Sequence, residues 1–159
     1  MNRFIYSEAG DIRHLPKTPV TSRFVSPWDT SGWYSVLPDF DAGKKVYSNC
    51  DLCVKDCPAE LVGADYIMTF NSNADGFDDK QEVDFYVERD ALVSVCIDTR
   101  IGEMPDFTKD FSQKEDALVL DDGTRYLVFE KKYFDGDEVH IPGISGECNH
   151  FIVAIRPAE

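Results

Sequence analysis

Apolar and polar residues alternate with a period of two over much of this chain, and that pattern predicts half-buried β-strands. In the run 83–87 the alternation puts Val83, Phe85 and Val87 on one face. The run 92–98 is mostly apolar on both faces, as expected for a central strand that is buried on both sides. Further strands are predicted over 33–37, 66–70, 117–120, 126–132, 138–142 and 151–155.

Turn residues separate these runs and indicate how they connect. Asp121-Asp122-Gly123 lies between two apolar runs and predicts a β-hairpin, and Asp135-Gly136-Asp137 predicts another turn. The helix-compatible stretch 105–115 predicts one or two short turns. Short strands separated by Gly, Asp and Pro turns predict an all-β fold, an antiparallel β-sandwich of jelly-roll type.

The N-terminal segment has a different pattern, because it contains Pro16, Pro19 and Pro27 and shows no helical period. We therefore predict an extended N-terminal arm over 1–31, followed by a single β-sandwich domain over 32–159. The length of 159 residues fits one domain, and the hydrophobic content of 43% is enough for a sizeable core.

The charge is strongly acidic, with 30 Asp and Glu against 16 Lys and Arg, which gives a net charge of -14. Such a chain repels phosphate backbones and anionic lipid, so nucleic acid and membrane are not expected as partners. The chain has no run of 18 apolar residues and no signal-peptide pattern at its start. We expect it to be cytoplasmic if it is complete as given, and secreted if it is a fragment of a larger protein.

An ordered set of short motifs extends over residues 32–155. It comprises Gly32-Trp33-Tyr34-Ser35, then 42–48, 58–67, Phe85-Tyr86-Val87, Val93-Ser94-Val95, Asp98-Thr99-Arg100, Pro105-Asp106-Phe107, 126–132 and 136–139. Taken in this order, the set resembles the accessory β-sandwich modules of bacterial polysaccharide lyases and related carbohydrate-active enzymes. The resemblance implies a galactose-binding-like or jelly-roll sandwich with a carbohydrate-linked role.

Five residues are candidates for ligand binding. The aromatic side chains of Trp28, Trp33 and Tyr34 offer faces on which a sugar ring can stack, and the alternative is that they are buried between the layers of the sandwich. Asp98 and Arg100 could form a polar pair that faces a ligand groove. The alternative, which we favour, is an internal ion pair that fixes the loop leaving the sandwich.

The loop 71–82 is a candidate calcium site, because oxygen-bearing residues recur at the spacing of a calcium-binding loop. The predicted ligands are Asn71, Asn73, Asp75, Asp79 and Glu82, with Gly76 at the sharp turn. Two features depart from the template: both flanks are predicted strands, and Asp78 stands where an aliphatic residue normally packs. The alternative is a polar hairpin loop that uses Asn, Asp and Gly as turn residues.

Cys50, Cys53 and Cys57 form a C-x2-C-x3-C cluster that resembles part of an iron–sulfur run, but Tyr47 occupies the position of the upstream ligand. A metal site would need a further ligand such as Cys148 or His150, and a local disulfide is another possibility. The alternative is an extended segment with structural thiols, in which Cys57 acts as a small core hydrophobe.

The sequence favours a non-catalytic module over an enzyme, since it contains no nucleophile-elbow, phosphate-loop or zinc-protease motif. The expected function is to bind carbohydrate or to support a carbohydrate-active enzyme. The second hypothesis is a structural or protein-interaction domain, with Ca²⁺ as its candidate stabilising ion. A carbohydrate-active enzyme is the third. The acidic surface favours a neutral carbohydrate over an acidic polysaccharide, and a protein partner is the alternative.

Overall fold

The computed structural model describes residues 20–24, 35–75, 79–80 and 82–158, with only the backbone described at 20–24, 35, 74, 75 and 79. Within these residues the chain forms thirteen β-strands: β1 Val20–Phe24, β2 Ser35–Leu37, β3 Val54–Asp56, β4 Asp65–Met68, β5 Asp79–Lys80, β6 Val83–Val87, β7 Ala91–Asp98, β8 Ser112–Gln113, β9 Leu118–Leu120, β10 Arg125–Tyr133, β11 Glu138–Ile141, β12 Ile144–Ser145 and β13 Ile152–Pro157. The described helical turns are all 3-10: Ala59–Leu61, Ser72–Asp75, Thr99–Ile101 and Asp106–Asp110. No described helix is long and apolar enough to cross a membrane.

The strands form two main sheets. The large sheet has eight strands in the order β2-β4-β13-β7-β10-β9-β3, and β8 pairs with β10 beside that path. The small sheet has three strands in the order β1-β6-β11, while β5 and β12 form a separate pair. All pairings between the described strands are antiparallel. The prediction of an all-β antiparallel sandwich is therefore confirmed.

The first hydrophobic core lies between the two sheets. Val83, Phe85 and Val87 of β6 all belong to it, as their period-two spacing predicted. Val93 and Val95 of β7 pack against them from the large sheet. Since one face of each sheet contributes to this layer, burial of these side chains holds the two sheets together.

The second hydrophobic core covers the opposite face of the large sheet. Cys96 of β7 and Ile152 of β13 point into it. Phe40, Tyr47 and Leu61 cover that face from the segment between β2 and β4. The central strands are thus buried on both faces, which confirms the prediction for the run 92–98 and explains why it lacks polar alternation.

The two Asp-Gly turns have different consequences. The turn at Gly123, which has φ of 87°, joins β9 to β10 within one sheet, as predicted. The turn at Gly136, with φ of 91°, instead carries the chain from β10 in the large sheet to β11 in the small sheet. Glycine suits both positions because a positive φ costs it no steric strain.

Most predicted elements are present with shifted ends. The predicted strand 33–37 is described over Ser35–Leu37, and the stretch 105–115 contains the single 3-10 helix Asp106–Asp110 followed by β8. Within the predicted arm, β1 pairs with β6 and so extends the small sheet. The rest of the segment 1–31 lies outside the described residues.

Candidate functional site

The candidate site is at one end of the large sheet, which we call the loop end. Three segments meet there: the turn after β7 (98–101), the segment before β13 (146–151) and the residues after β4 (69–75). Side-chain hydrogen bonds connect them, and most of the polar groups involved are buried. The end of a sandwich is where loops from different strands come together, so it is the natural place for a ligand site.

Asp98 and Arg100 form an ion pair at this end. The Asp98 side chain is fully buried, and Arg100 Nη2 donates to its Oδ2 over 2.7 Å. Arg100 Nε donates to Oδ1 and Oδ2 at 3.1 and 3.0 Å, and the Arg100 backbone N–H donates to Oδ1 at 2.9 Å. The hydrogen bonds to the Asp98 carboxylate raise the pKa of Arg100.

These bonds give Asp98 a definite structural role, because its side chain caps the 3-10 turn Thr99–Ile101. This is the internal ion pair that we favoured from the sequence. The Arg100 side chain is nevertheless 49% exposed. The Asp98 carboxylate thus holds the guanidinium group in place while part of the Arg100 side chain remains open to solvent. Binding of a ligand by the pair stays a prediction.

Asn149 connects the Asp98 carboxylate to the rest of the loop end. Its backbone N–H donates to Asp98 Oδ2 over 2.8 Å, and its Nδ2 donates to the Tyr126 hydroxyl over 3.0 Å. Its Oδ1 accepts from Asn71 Nδ2 over 2.9 Å. Asn149 is 4% exposed, so these bonds satisfy groups that have little access to water.

Two buried tyrosines continue the chain of hydrogen bonds. The Tyr47 hydroxyl donates to the His150 carbonyl oxygen over 2.5 Å and lies 2.9 Å from the Tyr126 hydroxyl. Since the Tyr47 proton is used on His150, Tyr126 donates to Tyr47. Burial raises the pKa of Tyr47 and of Tyr126, so both hydroxyls stay protonated at neutral pH.

A shallow cavity of about 270 Å³ lies on the neighbouring side of the loop end. It is lined by Ile101, Glu103, Pro105, Gly143, Ile144 and Ser145. Ile101 belongs to the same 3-10 turn as Arg100, so the Asp98 bonds that fix this turn also fix one wall of the cavity. The lining combines aliphatic side chains with polar groups, and such a surface can hold a small polar ligand.

The predicted calcium loop is described in part. Asn71 is 1% exposed, and its Oδ1 accepts from the backbone N–H of His150 at 3.1 Å. Asn73 is half-buried in a 3-10 helix, while Asp75 and Asp79 are described by their backbone alone. Glu82 lies close to Asp84 and His140. Binding of Ca²⁺ at this loop stays a prediction.

Glu82, Asp84 and His140 form the group of potential metal ligands in the described part of the chain. One donor atom from each side chain lies within 4.8 Å of the other two. Asp84 is hydrogen-bonded to His140 Nδ1 and is 6% exposed. Burial raises the pKa of Asp84, and the contact with His140 opposes that shift.

The three clustered cysteines are free thiols in a largely extended segment. The backbone of Cys53 forms an isolated antiparallel β-bridge with that of Lys45, and β3 begins at the residue after Cys53. Cys50 and Cys57 pack against the second core. Burial and the nearby Asp41 raise the pKa of Cys57 to about 11, which favours the inert thiol over the thiolate. These features agree with the structural interpretation of the cluster.

Two carboxylates also face each other away from the loop end, but both are paired with cations. Arg156 Nη2 donates to Glu130 at 2.7 Å and to Glu60 at 3.3 Å. Lys114 Nζ lies 3.5 Å from Glu130 and 3.7 Å from Glu60. Each of the two acids thus has both cations as ion-pair partners, which indicates a structural role for this cluster.

Sequence reasoning identified some of these residues and missed others. Trp28, Trp33 and Tyr34 lie outside the described residues, so their role as a sugar platform stays a prediction. Tyr126 and Asn149 were not singled out, and Tyr47 was noted only because it occupies the position of an iron–sulfur ligand, although all three complete the hydrogen-bonded network. Their one signal is the presence of hydroxyl and amide groups inside or beside apolar runs, and that signal is weak because such groups are common in loops.

Comparison with known proteins gives structural relatives alone, since no protein-family model and no curated protein matches the chain. The chain is similar to a β-glucuronidase from glycoside hydrolase family 2, with a TM-score of 0.74 and 19% identity over 91% of this chain. It is also similar to a glycoside hydrolase family 138 enzyme targeting pectin rhamnogalacturonan II, with a TM-score of 0.51 and 13% identity over 90% of this chain. The matches span 15% and 17% of those chains, so this chain corresponds to a small part of each. At these identities the likeness shows the β-sandwich fold.

Proposed function

We propose that this chain is a non-catalytic module that binds a neutral carbohydrate at the loop end of its sandwich. The observation that carries the proposal is the Arg100 guanidinium, which a buried carboxylate holds in place while half of its side chain faces solvent. A group fixed in this way can donate hydrogen bonds to sugar hydroxyls without losing side-chain entropy on binding. The adjoining cavity supplies aliphatic surface for the sugar ring.

The relatives give this proposal its carbohydrate context. The two similar structures described above are glycoside hydrolases, and the matched part is a small fraction of each chain. This supports an accessory role in which the sandwich is one unit of a larger system. Association with a polysaccharide lyase in particular stays a prediction.

The acidic net charge of the chain favours a neutral ligand over an acidic one. The net charge of -14 repels an acidic polysaccharide over long range, whereas a neutral glycan meets no such barrier. A single cation at Arg100 does not reverse this, because Asp98 already balances its charge. We therefore expect neutral glycans to bind better than uronate-rich ones.

Affinity electrophoresis tests the proposal. The purified chain is run through gels containing single polysaccharides, neutral and acidic, beside Arg100→Ala and Trp33→Ala variants. The proposal predicts that at least one neutral polysaccharide retards the wild type and that it retards Arg100→Ala less, with each protein compared with its own migration in a gel without polysaccharide. Loss of retardation in Trp33→Ala alone would move the site to the predicted aromatic platform.

A second candidate function is a protein-interaction module that supports a carbohydrate-active enzyme. Its support is the coverage of the two similar structures, since the matched fold makes up 15% of one chain and 17% of the other. Absence of retardation on every polysaccharide would favour this candidate over sugar binding.

A further inference from the structure

The outer face of the small sheet carries an unusual set of polar residues. Along β6, Val83 and Phe85 point into the first core, so Asp84 between them points to the outer face. Glu82 precedes the strand by one residue and lies two positions before Asp84, so it is on the same outer face. On β11 the core takes Val139, which leaves His140 on the outer face. The apolar inner face is fixed by the core, so the outward direction of these polar groups is fixed too.

Strand register brings the groups of this face together. Asp84 and His140 are direct partners across the β6–β11 pair. Side chains opposite each other in an antiparallel pair have Cβ atoms about 5 Å apart, and residues two positions along lie on the same face. As a result, one donor atom each of Glu82, Asp84 and His140 falls within 4.8 Å of the others.

The three side chains differ in exposure in a way that suits a bound ion. The Asp84 side chain is 9% exposed, whereas that of His140 is 51% exposed. The cluster therefore has a buried carboxylate at its base and one open side. An ion held here by three protein ligands would keep a further position open to water.

Charge provides the attraction. Glu82 and Glu138 both act electrostatically on Asp84, which is itself removed from water. His140 is the cationic partner of Asp84 among the described residues, and it is a cation only when protonated. A divalent cation would balance the desolvated carboxylate in a way that one imidazole cannot.

We propose that Glu82, Asp84 and His140 bind a divalent transition-metal ion, with Zn²⁺ as the best match. One imidazole nitrogen and two carboxylate oxygens suit Zn²⁺, because imidazole is a good ligand for it and a poor one for the hard ions Ca²⁺ and Mg²⁺. Bonds of about 2.0–2.2 Å would place the ligand atoms about 3.3 Å from one another. The hydrogen-bonded atoms of Asp84 and His140 would therefore separate to admit the ion, while the half-buried Glu82 side chain would move closer.

The bound ion would act as a clamp between strands. Asp84 lies on β6 and His140 on β11, so the ion would cross-link two of the three strands that the described residues contribute to this sheet. Binding to the folded state but not to the unfolded chain raises the melting temperature. This inference concerns a face of the small sheet and does not rest on the proposed carbohydrate binding.

The test starts from the full chain, stripped of metal with a chelator and dialysed. Isothermal titration with ZnCl₂ should show one ion per chain with micromolar or tighter affinity. The melting temperature should rise by about 5 °C or more at an excess of 100 times the dissociation constant. CaCl₂ and MgCl₂ at the same concentration should leave it unchanged.

Variants assign the ligands. His140→Gln and the milder Glu82→Gln should each weaken zinc binding at least tenfold, and the second variant serves if the first fails to fold. Glu138→Gln is the matched control, because Glu138 lies on β11 two positions from His140 and on the same outer face but is outside the ligand set. It should lower the affinity less than threefold.

Cobalt separates this site from the cysteines. Co²⁺ bound by Glu82, Asp84 and His140 should give weak visible bands without the intense near-ultraviolet absorption of cobalt–thiolate bonds. A thiolate band would overturn the proposal, as would zinc affinity that survives both His140→Gln and Glu82→Gln. Equal binding of Ca²⁺ and Zn²⁺, unaffected by His140→Gln, would also overturn it and would favour the calcium loop 71–82.

Discussion

The backbone N–H of Asn149 donates to Oδ2 of Asp98 over 2.8 Å, although the two residues are 51 positions apart in sequence. Asp98 ends the central strand β7, and Asn149 leads into β13, which pairs with β7. The bond therefore closes the sheet at the loop end and leaves the buried carboxylate fully paired. Loss of that carboxylate should therefore destabilise the pairing of β7 with β13 at this end of the sheet.

Asp98→Ala should lower the free energy of unfolding by about 3 kcal/mol, because it removes the buried partner of Arg100 and of the Asn149 N–H. Urea unfolding followed by tryptophan fluorescence measures the change. Asp122→Ala is the matched control: Asp122 is exposed and accepts one bond from the Thr124 N–H, so its loss should cost less than about 1 kcal/mol. Equal midpoints for the two variants would contradict the role of Asp98.

The two tyrosine hydroxyls should show strong energetic coupling. Tyr47→Phe and Tyr126→Phe each remove a buried hydroxyl from one chain of hydrogen bonds, at a cost of about 1–3 kcal/mol. Because the hydroxyls bond to each other, the double variant should lose less than the sum of the single losses. A double-mutant cycle in urea measures this, and strictly additive losses would show that the hydroxyls act independently.

Stability should fall at alkaline pH. Burial raises the pKa of Tyr66 and of Tyr133 to about 12, whereas an unfolded tyrosine has a pKa of about 10. Between those pH values the folded chain holds protons that the unfolded chain releases. The contribution of these two tyrosines to the free energy of unfolding is therefore fully present below about pH 10 and is lost as the pH rises towards 12. Urea midpoints at pH 8, 10 and 11 measure the slope.

Tyr133→Phe is the control for this effect, since it removes one of the tyrosines whose pKa is raised in the folded chain. Its stability should decline less steeply between pH 10 and 11 than that of the wild type. An identical decline would assign the alkaline loss to other groups.

Cys57 should react slowly in the folded protein. Its pKa of about 11 leaves little thiolate at pH 8, and the side chain is half-buried against the second core. Labelling with iodoacetamide, followed by peptide mass spectrometry, should show much slower modification of Cys57 in buffer than in urea. Rapid labelling in buffer, or a disulfide-linked peptide, would contradict a structural thiol.

The sequence predicted the long strands well because their information is local. Period-two patterning located β6, and the unbroken apolar run located β7, including their burial. Shorter elements such as β5 and β12 were missed. Each has two residues, too few for a period, and each forms because the other strand is placed beside it.

The site was predictable only where its residues are neighbours in sequence. Asp98 and Arg100 are two positions apart, so their pairing could be read from the motif. Tyr47 and Tyr126 meet across 79 positions, and the contact of Asp84 with His140 spans 56. Such contacts depend on strand order and register, which the pattern of one chain does not determine.

The central claim is that the loop end binds a neutral carbohydrate through Arg100. The most direct measurement is isothermal titration of the wild type, Arg100→Ala and Arg125→Ala with oligosaccharides of the polysaccharide that retards the chain in gels. Arg125 is an exposed arginine on β10 and controls for the loss of a surface charge. We predict that Arg100→Ala weakens binding at least tenfold while Arg125→Ala binds as the wild type does. Equal affinity of all three proteins, or no heat of binding with any oligosaccharide, would contradict the claim.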